Sequence, residues 1–450
     1  MSGYSPHTDA EVAQMLGFLG LSTLDDLFDV VPAALRLAGG LDLADGMTEP
    51  DVLAYMGDLA RTNRPAGRDL VCFAGGGAYD HEVPPVTRAL ASRSEFVTSY
   101  TPYQPEVAQG VLQAVFEFQT LVARLTGMEV ANASLYDGAA ATVEAVNLGV
   151  AASGRDTVWV SRGLNPAWRE VLATFGAGTG HRLVEVPLTD GTTRWAESAP
   201  GTGEEPGVVV VAYPNYLGCL EDLSAARAVC DRTGALLVVA FDPIAAGVLR
   251  SPAAWGADVV VGEGQVLGMP LSFGGPYLGL FACGLAQVRR LPGRLVGETV
   301  DAEGRRAYVS TLRAREQDIR REKATSNVCT NQTLMAVTAA IQLGWLGTTG
   351  IAEVARRSAQ GAHYCRTKLL GLSGVEPLVD GPVLREFAIR LPVAAPVAIE
   401  RLVDEGFLAG IALDPGYTSG SDDGLLVAVT ERRTRTEIDA FVDAVAKVVR

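Results

Sequence analysis

Four short runs in the middle of the chain restrict its architecture more than anything else in it: TVWVS (157–161), GVVVVAYP (207–214), ALLVVAFDP (235–243) and ADVVVGEG (257–264). They are nearly all apolar, and helical intervals separate them. Between the second and third, CLEDLSAARAVCDRTG has the three- and four-residue apolar spacing of an amphipathic helix that ends at Gly234. A strand that is apolar on both faces must be covered on both faces. Alternation with helices therefore predicts an α/β fold around a mostly parallel sheet. Ligands on such sheets bind beyond the carboxyl ends of the strands, which read YPNYLG, FDPIAAG and GEGQVLG here.

The flanks are helical. Residues 1–100 read as an N-terminal helical arm, with DDLFDVVPAALRLAG and DVLAYMGDLAR in helical period. A long helix is expected from Pro105 to Gly127 and another from near Gly138. Residues 101–340 then form the large α/β domain. Residues 341–450, with long helical patterns around REFAIRLP and LLVAVT, form a small α+β domain.

With 48% hydrophobic residues in 450, the chain can bury a large interior, and a formal charge of −15 argues against nucleic acid or an anionic membrane as partner. No basic n-region opens the sequence and no run reaches about 20 apolar residues, so cytoplasm is the expected location. Six cysteines without CxxC spacing and four scattered histidines predict neither a zinc site nor a disulfide framework. Lysine occurs only at Lys323, Lys368 and Lys447.

The stretch VVVGEGQVLGMPLSFGGPYLG (259–279) offers Gly262, Gly264 and Gly268 as a near-match to a dinucleotide fingerprint. That motif must turn straight into a helix, whereas this one leads through Pro270 toward another strand, PYLGLFAC. In DGAAAT, Asp137 and Gly138 open a helix carrying Thr142; the turn can offer N–H groups to an anion, or Asp137 can be a plain N-cap. Asp242 in AFDP is equally open: it can face a cofactor ring nitrogen or cap the next helix. Small-residue turn, strand-end Asp, then glycine-rich strand end is the order of a pyridoxal-phosphate enzyme of the aspartate-aminotransferase type. The Schiff-base lysine of such an enzyme belongs just past the next strand. That place is GEGQVLG, and it holds no lysine.

Longer strings carry a more specific signal: QMLGFLGLSTLDDLF, GGGAYDHEVPP, SRSEFVTSYTPYQPEVAQGVLQAVFEFQTLVARLTGMEVANASLYDGAAAT, GEGQVLGMPLSFGGPYLG and STLRAREQDIRREKATSNVCTNQ. On these, nearly end to end, the chain resembles the P-protein family of the glycine cleavage system, glycine dehydrogenase (decarboxylating), on the side of its split α-type subunit. The resemblance implies the fold type I architecture of pyridoxal-phosphate enzymes, with a degenerate site here and the cofactor on a second, β-type subunit. It implies that Gln265 and Val266 fall about where the other half has His-Lys, and that Gly262 and Gly264 remain for backbone geometry.

It further implies decarboxylation of glycine and transfer of the aminomethyl group to the lipoyl arm of the H-protein, by an α2β2 assembly in which the lone chain is inactive. Tyr100, Thr101, Tyr103 and Gln104 are the expected contributors to a shared active site, against the alternative that the tyrosines only pack an interface. Lys323, Thr325, Ser326 and Asn327 are further candidates. Two other readings stay open: a paralogue acting on a substituted glycine, and a standalone enzyme using Lys323.

Overall fold

The computed structural model describes residues 6–37, 39, 41–98, 101–195, 205–328 and 330–450. Tyr100 lies outside the described residues. The chain divides into two compact units, Met1–Arg64 and Pro65–Arg450.

In the first unit, caps set the helices. Thr8 and Glu11 form a capping box at the start of Asp9–Leu19, and Gly20, at φ 72°, ends it. Thr48 accepts from Asp51 N–H to open Glu49–Arg61. The stretch between them departs from the helical reading and forms only two short 3-10 turns, Asp25–Phe28 and Ala33–Leu35. Pro32 accounts for the break: it has no N–H to donate and pushes the residue before it out of helical geometry.

Residues 65–98, read from sequence as the end of the arm, belong to the second unit. Val71–Cys72 pairs in parallel with Phe407–Leu408, and Phe73, fully buried, stacks on Phe441 at 4.1 Å between ring centroids. This short apolar string is therefore part of a core.

The second unit is built on seven strands: β1 (Val130–Ala131), β2 (Thr157–Ser161), β3 (Arg182–Val186), β4 (Val208–Tyr213), β5 (Leu236–Phe241), β6 (Val259–Glu263) and β7 (Gly279–Cys283). Their order is β1-β7-β6-β5-β4-β2-β3. The β3-β2-β4-β5-β6 block is parallel, and β7 runs antiparallel to both β6 and β1. Side chains alternate between two cores. Val209, Val211, Leu237, Val239 and Val260 face one, while Val208, Val210, Val238, Val259 and Val261 face the other. That double burial is the physical reason the strand sequences lack a polar face.

Helix Gly138–Ser153 packs its Ala141, Ala145 and Leu148 into the second core, and Gln109–Thr126 packs Phe118 and Val122 into the first. The expected start at Pro105 is a 3-10 turn, Pro105–Val107, after which the α-helix begins at Gln109.

Helix Thr333–Leu369 is broken at Gly347 (φ 59°, ψ −173°). It sends Ala336, Ala339, Leu343, Ile351 and Ala355 into the sheet core, then Ala362, Cys365 and Leu369 into a separate C-terminal core. By length and composition it is the one described helix able to cross a membrane, but service to two cores accounts for its apolar character. The C-terminal core lies against a four-stranded antiparallel sheet, β8 (Glu376–Pro377), β9 (Glu386–Arg390), β10 (Ile411–Ala412) and β11 (Gly424–Ala428), in the order β8-β9-β11-β10. Helices Ala395–Asp404 and Arg435–Val448 supply Ala398, Leu402, Phe441 and Val445 to it.

Candidate functional site

The carboxyl ends of β4, β5 and β6 converge on a cleft with an internal volume of about 90 Å³. Tyr79, Trp168, Asp242, Glu263, Arg385 and Glu386 are among the residues that line it. Asp242 follows β5 directly. It caps the 3-10 turn Pro243–Gly247 through Ile244 N–H, and its carboxylate pairs with Arg385 at 2.9 Å. The capping reading of Asp242 is the one with a counterpart here, and the partner of its outer oxygen is a guanidinium from the C-terminal part of the chain.

Asp137 likewise is an N-cap, accepting from Ala140 N–H at 2.7 Å, and Thr142 donates to the Gly138 carbonyl at 2.8 Å. The Gly138 N–H, at the helix N-terminus, donates to Glu263 Oε2 at 2.9 Å. Glu263 Oε1 accepts from the N–H groups of Gln265 and Leu278 at 2.9 and 3.0 Å. A Cβ at Gly138 would sit 2.3 Å from Trp168, which closes the same corner.

The turn after β6 is rigid for reasons of close approach. A Cβ on Gly262 would lie 2.5 Å from the Phe241 carbonyl oxygen, and one on Gly264 would lie 2.8 Å from Leu278. Gln265 is wholly buried. Its Nε2 donates to the carbonyls of Tyr79 and Met269, and its Oε1 accepts from Tyr79 N–H at 2.9 Å. It is a strut between this turn and the strap 73–82. Val266 is buried and lines the cleft.

The strap and the C-terminal sheet complete the enclosure. Glu386 accepts from Gly76 N–H at 2.7 Å and from the Tyr79 hydroxyl at 2.8 Å. Arg385 lies 3.5 Å above the Tyr79 ring and contacts His81 Nε2 at 2.6 Å, while His81 Nδ1 meets Glu431 at 2.5 Å. No lysine lines this cleft. Lys368 lies over the Tyr364 ring, Lys447 pairs with Glu405 at 2.8 Å, and Lys323 is exposed on the short turn Arg321–Lys323.

Burial pushes Glu263 and Glu386 each up to about 7, against the opposing pull of the N–H and hydroxyl donors around them. Both therefore bind a proton more tightly in the folded chain than at their ordinary value of 4.5. Their contribution to stability is complete below that value and is lost as pH rises through the folded value, up to about 3 kcal/mol for each group. Glu386→Gln keeps both contacts, since the Tyr79 hydroxyl can accept from an amide. In urea titrations between pH 5 and pH 8 it should show a shallower loss of stability with rising pH than the parent. An unchanged slope would contradict the assignment.

The other candidates gather elsewhere. Thr101 and Tyr103 line a cavity of about 480 Å³ together with Arg294, Arg313, Glu316 and Arg321. Arg294, 8% exposed, reaches Thr101 Oγ1 at 3.4 Å and the Tyr103 hydroxyl at 3.2 Å, and lies over the Tyr103 ring. Gln104 is exposed and begins the turn that leads into the helix, its carbonyl accepting from Val107 N–H. Thr325 and Ser326 border a shallow recess beside this cavity with Arg315, and Asn327 and Lys323 point to the exterior. Cleft and cavity share no lining residue. Glu263, Arg385, Glu386, Tyr79 and Arg294 were not singled out from sequence, although GEGQVLG, REFAIRLP and GGGAYDHEVPP contain four of them.

The family model of the glycine cleavage system P-protein matches residues 2–445. The chain belongs to the glycine cleavage system P-protein family. Among the relatives of this P-protein chain is the probable glycine dehydrogenase (decarboxylating) subunit 1 of Moorella thermoacetica, 46% identical over 446 residues and covering 99% of both chains. The protein of the same description from Chloroherpeton thalassium is 44% identical over 445 residues, again covering 99% of both.

A crystal structure of glycine decarboxylase (P-protein) of the glycine cleavage system, in inhibitor-bound form, superposes with a TM-score of 0.91 at 45% identity over 99% of each chain. Mouse CSAD in apo form shares the fold alone: TM-score 0.69 and 14% identity, over 95% of this chain and 92% of that one. The architecture is the type I fold of pyridoxal-phosphate enzymes that the resemblance implies, built on the mostly parallel sheet expected from the strand and helix order.

Proposed function

We propose that the chain is the subunit of a split P-protein that does not anchor the cofactor, and that it works in glycine decarboxylation only with a second subunit that holds pyridoxal phosphate. The single observation that supports this most is a family fold whose cleft is lined by no lysine. Bound through a Schiff base, pyridoxal phosphate supplies an electron sink for loss of CO2 from an amino acid. A site for it needs an amine, a cradle of N–H donors for phosphate, and a free carboxylate toward the ring nitrogen. Here the amine is missing, Glu263 sits in the N–H cradle and Asp242 is paired with Arg385. The residues do not fit the group, and no step is routed through this cleft.

The part assigned to this chain lies at the 480 Å³ cavity, where buried Arg294 fixes Thr101 and Tyr103 in place. In the proposal, these side chains line the substrate path at the joint with the second subunit, orienting the amino acid and excluding water. Passage of the aminomethyl group to the lipoyl arm of the H-protein and an α2β2 assembly are part of the same reading. So is a cytoplasmic location, in keeping with buried, unpaired thiols at Cys72, Cys219, Cys230, Cys283 and Cys365. A standalone enzyme using Lys323 finds no support in an exposed lysine outside both lining sets.

Glycine-dependent exchange of carboxyl carbon with CO2 should be absent from the lone chain and appear on adding the second subunit and H-protein. Tyr103→Ala in that complex should lower kcat/KM about tenfold or more, whereas full activity with Tyr103→Ala would remove the segment from the active site.

A further inference from the structure

We propose that the cleft is self-liganded: Glu263 occupies the oxyanion position at the N-terminus of helix Gly138–Ser153 and Arg385 occupies the carboxylate of Asp242, so that these two side chains close it to a phosphate-bearing cofactor. The inference deepens the reading that the cofactor sits on the second subunit. It moves the cause from the missing lysine to residues that are present.

The geometry at Glu263 is that of a bound oxyanion. Both oxygens act only as acceptors, from three backbone N–H groups contributed by three separate places in the chain, Gly138, Gln265 and Leu278. A carboxylate or a phosphate satisfies that donor set. A primary amide does not, because its NH2 would oppose one of the N–H groups. The helix N-terminus adds its positive end to the same spot.

Arg385 completes the closure from the other side. It spans Asp242, the His81 ring and the face of Tyr79, while its neighbour Glu386 holds Gly76 and Tyr79. Strap, central sheet and C-terminal sheet are thereby bonded to one another through charges that belong to the chain. The remaining volume, about 90 Å³, is far below that of a cofactor pocket of several hundred Å³. The chain's own side chains thus close the cleft.

The test is thermal unfolding of the full-length chain with inorganic phosphate as the probe, against chloride at equal ionic strength. Glu263→Ala should melt below the parent and regain about 2 °C or more in tens of millimolar phosphate, with no comparable shift in the parent. Equal shifts in both proteins, or none in Glu263→Ala, would overturn the inference.

Glu263→Gln, which keeps the shape, provides a second measurement: exchange of the Gly138 amide hydrogen should quicken at least about tenfold, and an unchanged rate would overturn the inference as well. Either failure leaves the partner-borne cofactor standing. That reading falls instead if the unaltered chain alone forms a Schiff base with pyridoxal phosphate.

Discussion

Arg385→Ala should cost the isolated chain about 3–5 kcal/mol of unfolding free energy. The side chain is 5% exposed and its partner, the Asp242 carboxylate, only 12%. Removing the guanidinium strands that carboxylate in a low-dielectric pocket without a counter-charge. It also takes the cation from above Tyr79 and the donor from His81. The loss is therefore mostly the cost of an uncompensated buried charge, which sets up a sharper check. Asp242→Asn placed on top of Arg385→Ala should recover part of the stability, giving a coupling energy of about 1–3 kcal/mol in a double-mutant cycle. Urea unfolding of the four proteins measures it. Strict additivity would mean that the pair does not act as a unit.

Gln265→Lys is the second large effect: it puts an amine at the buried strut beside Val266, the position that the resemblance matches to the lysine. If any amine on this turn sufficed, that lysine would let pyridoxal phosphate bind and give a visible-range absorbance. The structure argues otherwise. Gln265 is a fully buried strut whose amide serves the Tyr79 N–H, the Tyr79 carbonyl and the Met269 carbonyl. A lysine could donate to the two carbonyls but would leave the Tyr79 N–H unpartnered and would bury a charge. With Glu263 and Arg385 unchanged, there is still no place for phosphate or ring. The expected result is a loss of about 3 kcal/mol or more and no cofactor absorbance. A Gln265→Lys chain that folds as well as the parent and turns yellow with pyridoxal phosphate would contradict the account.

Much of the fold was legible because burial on both faces leaves a plain signature. The four central strands and the antiparallel β7 stand where their apolar runs lie, and Asp222 and Gly234 bracket helix Leu223–Thr233 as its pattern suggests. Two strands of the central sheet escaped notice, both at its edges: the two-residue β1 and the five-residue β3. The RLVEV sequence of β3, with Arg182 and Glu185 exposed, carries neither the alternation of a half-buried strand nor the run of a buried one. In the arm, the apolar spacing of 25–39 looks helical until Pro32 is given its weight.

The candidate site was legible in its missing lysine and not in the groups that fill it. Absence of lysine from GEGQVLG is a local fact. The groups that fill the cleft come from far apart: Glu263 meets Gly138 across 125 residues and Gln265 meets Tyr79 across 186. Only the topology, which brings the ends of β5 and β6, the strap and the start of β9 together, turns a strand-end glutamate into an oxyanion stand-in. Asp137 and Asp242 illustrate the same point. Each serves as the ordinary cap that its sequence permits, and the further partner of Asp242, Arg385, has no signature in the local pattern.

The most direct measurement is borohydride reduction in the presence of pyridoxal phosphate, followed by mass analysis of each polypeptide. The account predicts no pyridoxyl adduct on any of Lys323, Lys368 and Lys447, alone or in complex, and a stoichiometric adduct on the second subunit. A stoichiometric adduct on this chain would contradict it.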